Sequence, residues 1–401
     1  MAHLAERPPH VPLERVVDID IYAPPGGDID IHDAWKTLQA PGVPDVVWTP
    51  RNGGHWIVTR YQPMSEVYQD YHRFSSRLGN ISEERFAIEF IPASLDPPAH
   101  RSFRMLLTGS FAPKKIESAR ARVREIAGNL IDAFKDKGAC EFQAAYAHHL
   151  PVIVFMEMMD LPVEDAKNVK FWSDQITRLD GDMPPMEAQQ KFYDYLSPVI
   201  DARFGTDKTD VITRLINSPI DGRPMTKNEA LQLVAQVLQG GVETVINFLG
   251  FVIKHLAQSP EHRHELASDP SRIPAATDEF FRRYGIVINA REVAQDTVLA
   301  GAELKKGDAI SMPNMLAGLD EREIQTPMDV AFDRANKQHL TFGAGSHRCP
   351  GAPLARIEVE VTIEEWLKRI PEFALAPEAA PRYRSGVTPC VTEIPLVWTV
   401  R

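Results

Sequence analysis

Apolar positions recur along this chain mostly at helical spacing, with short alternating stretches near the start, after residue 285 and at the end. Val46-Val47-Trp48 and Trp56-Ile57-Val58-Thr59 flank Arg51-Asn52-Gly53-Gly54 and predict a β-hairpin. Residues 61–71 follow as a short helix. Residues 86–95 show no clear period, are rich in large apolar groups and end at Asp96-Pro97-Pro98, which reads as a loop that packs inward. Helices are expected over 99–111, two or three times between 115 and 169, and over 167–178 and 186–204. The apolar run 150–159, with Met156, Met158 and Met159, reads as buried core.

The longest periodic segment opens at Thr226, whose spacing to Glu229 is that of a capping box, and runs to Ser259-Pro260. Its middle is uncharged apart from Glu243, so it reads as a helix threaded through the core. Gly240 and Gly241 cost it about 1 kcal/mol each relative to alanine, which close approach of a ring or ligand would offset. Thr244 follows Glu243; a buried threonine ordinarily bonds back to the carbonyl a turn earlier. Pro274 opens a helix carrying Glu279 and Arg282, three residues apart. Residues 286–293 then read as a strand, followed by a hairpin around Leu304-Lys305-Lys306-Gly307-Asp308. Residues 387–400 include a last strand.

The 401 residues contain no Gly/Ser linker, charge block or repeat, so a single domain, 1–401, is expected. Three cysteines, far apart and odd in number, indicate a reducing compartment. The first twenty residues lack an apolar core and no window reads as a membrane span, pointing to a cytoplasmic protein. A net charge of -11 argues against a nucleic-acid partner.

The chemistry concentrates in Phe342-Gly343-Ala344-Gly345-Ser346-His347-Arg348-Cys349-Pro350-Gly351, which sets one cysteine between glycines and a helix start. Pro353 suits a first helical turn, and Leu354, Ile357, Val361 and Ile363 or Trp366 recur near helical spacing. The helix dipole, free amides, His347 and Arg348 all favour thiolate at Cys349. A lone cysteine is a poor zinc site, whereas a haem iron needs only one protein ligand. A buried structural cysteine is the plain alternative. The whole spacing favours the metal.

Phe342-x-x-Gly345-x-x-x-Cys349-x-Gly351 resembles the haem-ligand loop of the cytochrome P450 family, and further markers follow in order over nearly the whole chain. The resemblance implies a mainly α fold with a small β region and a long central helix over the haem. It implies haem b on a Cys349 thiolate, with Phe342, Gly343, His347, Gly240 and Gly241 beside the cofactor. Asp96-Pro97-Pro98-x-His100-x-x-x-Arg104 matches the segment that binds a propionate, and Arg291 matches a second propionate ligand. Glu243-Thr244 matches the acid–threonine pair that delivers protons, with Lys170 and Arg178 aligned to the cations that pair with the acid. Glu279-x-x-Arg282 matches a buried structural pair.

In detail the wording is similar to the camphor-hydroxylating bacterial branch: Phe90-Ile91-Pro92-x-Ser94, Gly240-Gly241-x-x-Thr244-Val245-x-Asn247-Phe248-Leu249, Gly318-Leu319-Asp320-Glu321-Arg322-Glu323 and Pro395-Leu396-Val397-Trp398. That branch hydroxylates unactivated C–H bonds with dioxygen and electrons from a two-iron ferredoxin fed by a flavoprotein reductase. Ile88 aligns with the tyrosine that bonds the camphor ketone, and isoleucine cannot donate. The expected substrate is therefore an apolar cyclic terpenoid or norisoprenoid, in a pocket including Ile88, Gln239, Gly240, Thr244 and Val287. Arg101 and Arg104 would face an acidic ferredoxin. A haem-thiolate peroxygenase or isomerase, and a non-catalytic haem gas sensor, remain open readings.

Overall fold

The computed structural model describes residues 4–79, 81, 90–177, 181–377 and 379–400. The chain divides into two compact units, each assembled from three stretches: Met1–Arg101, Asp278–Cys349 and Tyr383–Pro389 in the first; Ser102–Thr277, Pro350–Arg382 and Cys390–Arg401 in the second. The switches between units fall inside or next to regular elements such as the helix Ala99–Ser110, so no flexible composition marks them.

The first unit is built on a five-stranded sheet in the order Val46–Thr49, His55–Val58, Ala309–Pro313, Ile288–Val293, Phe74–Ser75. The expected hairpin pairs Val46 with Val58 and Thr49 with His55. Its turn uses the positive φ of Asn52, Gly53 and Gly54. His55–Val58 runs parallel to Ala309–Pro313, which pairs antiparallel with Ile288–Val293 and sets Arg291 opposite Ile310. The hairpin expected around 304–308 is not there. Ala302–Leu304 instead pairs back with Thr297–Leu299 through Ala300 and Gly301, both at positive φ, and the 305–308 turn leads into a different sheet. The glycine and lysines of that turn signalled a chain reversal but not which strand would be met.

The second unit is helical, and its axis is Lys227–Gln258, 32 residues or about 50 Å long. The capping box forms as expected: the Thr226 side chain accepts from Glu229 N, and Glu229 accepts from Thr226 N. Hydrogen bonds from Arg223 hold the Glu229 carboxyl down near about 2. Helices Leu150–Met158, Ala166–Thr177 and Pro185–Asp201 pack on this axis. Between 115 and 169 the structure has more elements than expected: Pro113–Glu117, Arg120–Asp132, a strand Ala139–Glu141 and a π-turn Gln143–Ala147 precede Leu150–Met158. A helix Pro260–Ser268, also unforeseen, starts immediately after the axis because Pro260 ends one helix and fits the first turn of the next.

Contrary to the sequence reading, the central helix is long and apolar enough to cross a membrane by length and composition. Its most apolar window is 72% buried by the protein, so a protein core satisfies the same pattern. The helix Ala352–Arg369 begins just after the cysteine loop, with Gly351 as N-cap and Pro353 in its first turn. Leu354, Ile357, Val361, Ile363 and Trp366 are all buried, and Arg120 clamps Glu360 at 2.7 Å.

Candidate functional site

In the first unit the run 342–349 folds back on itself: Cys349 N donates to Phe342 O at 2.8 Å, and Gly343 N donates to Leu340 O at 2.8 Å. Gly343 and Gly345 stand at φ +64° and +66°, where a side chain would be strained. A Cβ on Gly345 would lie 2.4 Å from the Tyr68 carbonyl oxygen, so the glycine also allows the loop to press against the end of helix Tyr61–Gln69. Residues 345–347 make a single 3-10 turn, leaving Cys349 exposed ahead of the next helix. Phe342 packs edge-on to Phe281 at 4.7 Å.

His100 and His347 are brought together, with ring centroids 4.1 Å apart and His100 buried. Arg291 is buried on its strand, where desolvation pulls its pKa down. Its Nη1 donates to Ala290 O at 2.7 Å and its guanidinium lies 5.6 Å from the centre of the Tyr68 ring. No carboxylate forms a hydrogen-bonded ion pair with it among the described residues, although the Asp96 charge acts on it from further off. Val287 is half-buried just before the strand, and its carbonyl accepts from Asn314 N at 2.9 Å.

Tyr68 is the residue that sequence reasoning missed. Its hydroxyl donates to Asn314 Oδ1 at 2.5 Å and accepts from Asn289 Nδ2 at 2.8 Å, its ring faces Arg291, and its carbonyl abuts the cysteine loop. Burial pushes the phenol up to about 12, so it stays neutral and keeps its proton for Asn314. In sequence it is one apolar position of an ordinary short helix. Only its position opposite Asn289, two residues before Arg291, could have hinted at more.

In the second unit the central helix carries Gln239, Gly240, Gly241, Glu243 and Thr244. A Cβ on Gly241 would lie 2.0 Å from the Phe155 ring, which accounts for that glycine by packing alone. Among the described residues nothing lies within 4 Å of the Cβ position at Gly240. Gly240 is exposed and Gln239 and Thr244 are half-buried, although this helix is buried on both sides of them. Thr244 Oγ1 donates back to Gly240 O at 3.1 Å, as a helical threonine does in the absence of another acceptor. Glu243 is buried.

Lys170 does not follow the alignment: its Nζ pairs with Asp174 one turn along its own helix, at 2.6 Å. That i, i+4 pairing is a local contact that outcompetes a distant one. Arg178 and Ile88 lie outside the described residues. Arg101 is exposed and Arg104 half-buried, both on helix Ala99–Ser110.

Haem is an anionic, planar group, and the residues fit it in two respects. Arg291 is a buried cation that has no hydrogen-bonded carboxylate among the described residues, only the more distant Asp96, which is costly unless an anion arrives. Among the described residues nothing packs on the Gly240 position of the central helix, while 233–235 and 245–253 on either side are buried.

The comparisons with known proteins agree. Residues 186–381 match the Cytochrome P450 family profile. The crystal structure of CYP101J2 superposes with a TM-score of 0.92 and 41% identity, covering 99% of this chain and 100% of that one. Cytochrome P450(MEG) of Priestia megaterium is 32% identical over 340 residues, 80% of this chain and 83% of that protein. The probable cytochrome P450 127A1 of Sinorhizobium fredii is 29% identical over 404 residues, 98% and 96% of the two chains. Fold and cysteine loop thus define a haem-thiolate oxygenase. The chain belongs to the cytochrome P450 family, and it is a monooxygenase that uses haem, dioxygen and redox partners.

Proposed function

We propose that this enzyme hydroxylates an unactivated C–H bond of a small apolar cyclic terpenoid or norisoprenoid in the cytoplasm, with two electrons from a two-iron ferredoxin and its flavoprotein reductase. Cys349 ligates the iron, His100, Arg104, Arg291 and His347 hold the propionates, and Phe342, Gly343 and Gly240 lie along the macrocycle; Gly241, expected beside the cofactor, packs against Phe155 instead. Bound haem supplies dioxygen activation, placing one oxygen atom in the substrate and the other in water. The Thr244 hydroxyl, held by Gly240 O until an acceptor is present, passes protons on, and Glu243 governs their supply. Ile88, Gln239, Gly240, Thr244 and Val287 surround the substrate. Arg101 and Arg104 receive the ferredoxin.

The observation that carries the reading is the open Gly240 face amid a buried helix, with a hydroxyl one turn away. A gas sensor needs no such hydroxyl, and a peroxygenase needs no proton supply. The test is the spectrum of the reduced protein with carbon monoxide, followed by turnover of camphor and a norisoprenoid ketone with ferredoxin and reductase. A thiolate-type Soret band and hydroxylated norisoprenoid support the reading. Product from hydrogen peroxide but not from dioxygen, or tight camphor binding with a full spin shift, would contradict it.

A further inference from the structure

Helix positions 233–235, 237 and 238 are buried, as are 242, 243 and 245–253, yet Gln236 and Gln239 between them are half-buried and Gly240 is exposed. Positions 236, 240 and 244 lie at i, i+4 and i+8 and share one face, with 239 beside it. Neither glutamine amide bonds to protein among the described residues, and the Gln236 side-chain oxygen is shielded from solvent with no donor. Leaving such an amide oxygen unsatisfied is costly, and a leucine there would avoid the cost and favour the helix as well. Gln143 Nε2 donates to Val391 O at 2.6 Å and Gln189 Nε2 to the Tyr193 hydroxyl at 2.6 Å, although their side-chain oxygens, like that of Gln232, are also buried without a donor among the described residues; what sets Gln236 and Gln239 apart is their place beside the exposed Gly240.

We propose that Gln236 and Gln239 form a paired-amide anchor for a single carbonyl or hydroxyl oxygen of the substrate, so that this enzyme selects oxygenated terpenoids over the parent hydrocarbons. The inference rests on the reading that this helix face meets the substrate. An amide carries both an N–H donor and a C=O acceptor, so a pair of them accepts a ketone or an alcohol. No lysine, arginine or carboxylate lies within one turn of the pair except the buried Glu243, which matches a neutral ligand rather than an anion. The missing Cβ at Gly240 leaves room beside the amides for a ring.

The test uses haem-loaded protein, first checked for the thiolate-type carbon monoxide band; its absence would undo the functional reading rather than the anchor. Spin-state titration and calorimetry then compare a norisoprenoid ketone, the corresponding alcohol and the hydrocarbon of the same skeleton. The wild type should bind either oxygenated compound about tenfold or more tighter than the hydrocarbon, the worth of one well-placed hydrogen bond in a dry site. Gln236→Leu and Gln239→Leu should each erase most of that ratio while hydrocarbon binding holds or improves. Gln232→Leu, one turn before Gln236 and also carrying a partnerless buried oxygen, should leave the ratio unchanged. A wild type indifferent to the oxygen, or equal loss in all three variants, would overturn the anchor. Variants that fail to take up haem are replaced by Gln236→Met and Gln239→Met, which keep length and lose only the amide.

Discussion

Two buried arginines of the first unit are used in opposite ways. Arg282 is fully buried and every arm is occupied: Nε and Nη2 clasp Glu279 at 2.8 and 2.7 Å, Nη1 reaches the carbonyls of Gly318 and Pro327 at 2.7 Å, and Nη2 also reaches Asp329 O at 2.8 Å. Glu279 further accepts from Ala331 N and Arg334 Nε. Arg291 is nearly as buried but has one carbonyl and the face of a tyrosine. A charge whose partners all come from the protein is architecture. A buried charge whose nearest carboxylate, Asp96, acts on it only at a distance is poised for an anion in direct contact.

The comparison breaks most sharply at Arg282. Arg282→Leu leaves Glu279 buried with only Arg334 as cation, and should cost about 3–5 kcal/mol. Urea unfolding of the variant should show a much lower midpoint, or the soluble yield should collapse. If Arg282→Leu unfolds at the wild-type midpoint, the network is not structural.

Arg291→Leu should behave differently. The apoprotein should melt no lower than wild type, because a costly buried cation has gone, while haem transfer to an excess of apomyoglobin should quicken about tenfold, the loss of one charge-assisted bond. Equal destabilisation of apoprotein and holoprotein would place Arg291 with Arg282 after all.

The second unit holds the carboxylate version of the contrast. Glu358, on Ala352–Arg369, is fully buried, and neither oxygen has a hydrogen-bond partner among the described residues; burial pushes its pKa up to about 8, from 4.5. The folded state therefore binds the proton more tightly than the unfolded chain. Stability is fully present below about 4.5 and declines by up to about 1.4 kcal/mol per pH unit as the pH rises to about 8, then levels off. Glu358→Gln should flatten that decline, so that the variant is the more stable protein at pH 8 and the two converge near pH 5. Parallel melting curves across this range would mean that the carboxyl is hydrated or paired.

An effect the size of one hydrogen bond is expected at Tyr68. Tyr68→Phe removes the hydroxyl shared by Asn289 and Asn314 and should cost about 1–2 kcal/mol, with a raised rate of haem loss because the ring beside Arg291 and the cysteine loop is less firmly held. Unchanged haem retention would reduce Tyr68 to ordinary packing.

The features legible in sequence were those whose physics is local. The capping box at Thr226 and Glu229, the proline-led helix after Cys349 and the i, i+3 pair of Glu279 and Arg282 all connect residues a turn apart, and each forms. Lys170 is a local pairing that was read as a distant one. The 304–308 turn was read as a hairpin because its residues reverse the chain, but strand partners are chosen by the sheet. Gly240 and Gly241 look identical in sequence. Only the packing of Phe155 separates the glycine that fits a ring of the protein from the one that faces open space.

By itself, then, the sequence determined the longest helices, the place of the cysteine loop and the family, because spacing and capping act over a few residues. Tertiary structure alone decided that Tyr68 joins Asn289, Asn314 and the loop, that Arg291 is buried without a hydrogen-bonded carboxylate among the described residues while Arg282 is saturated, and which face of the central helix the described residues leave uncovered. Those properties depend on groups that meet across long separations in sequence, and desolvation depends on everything that surrounds a group at once.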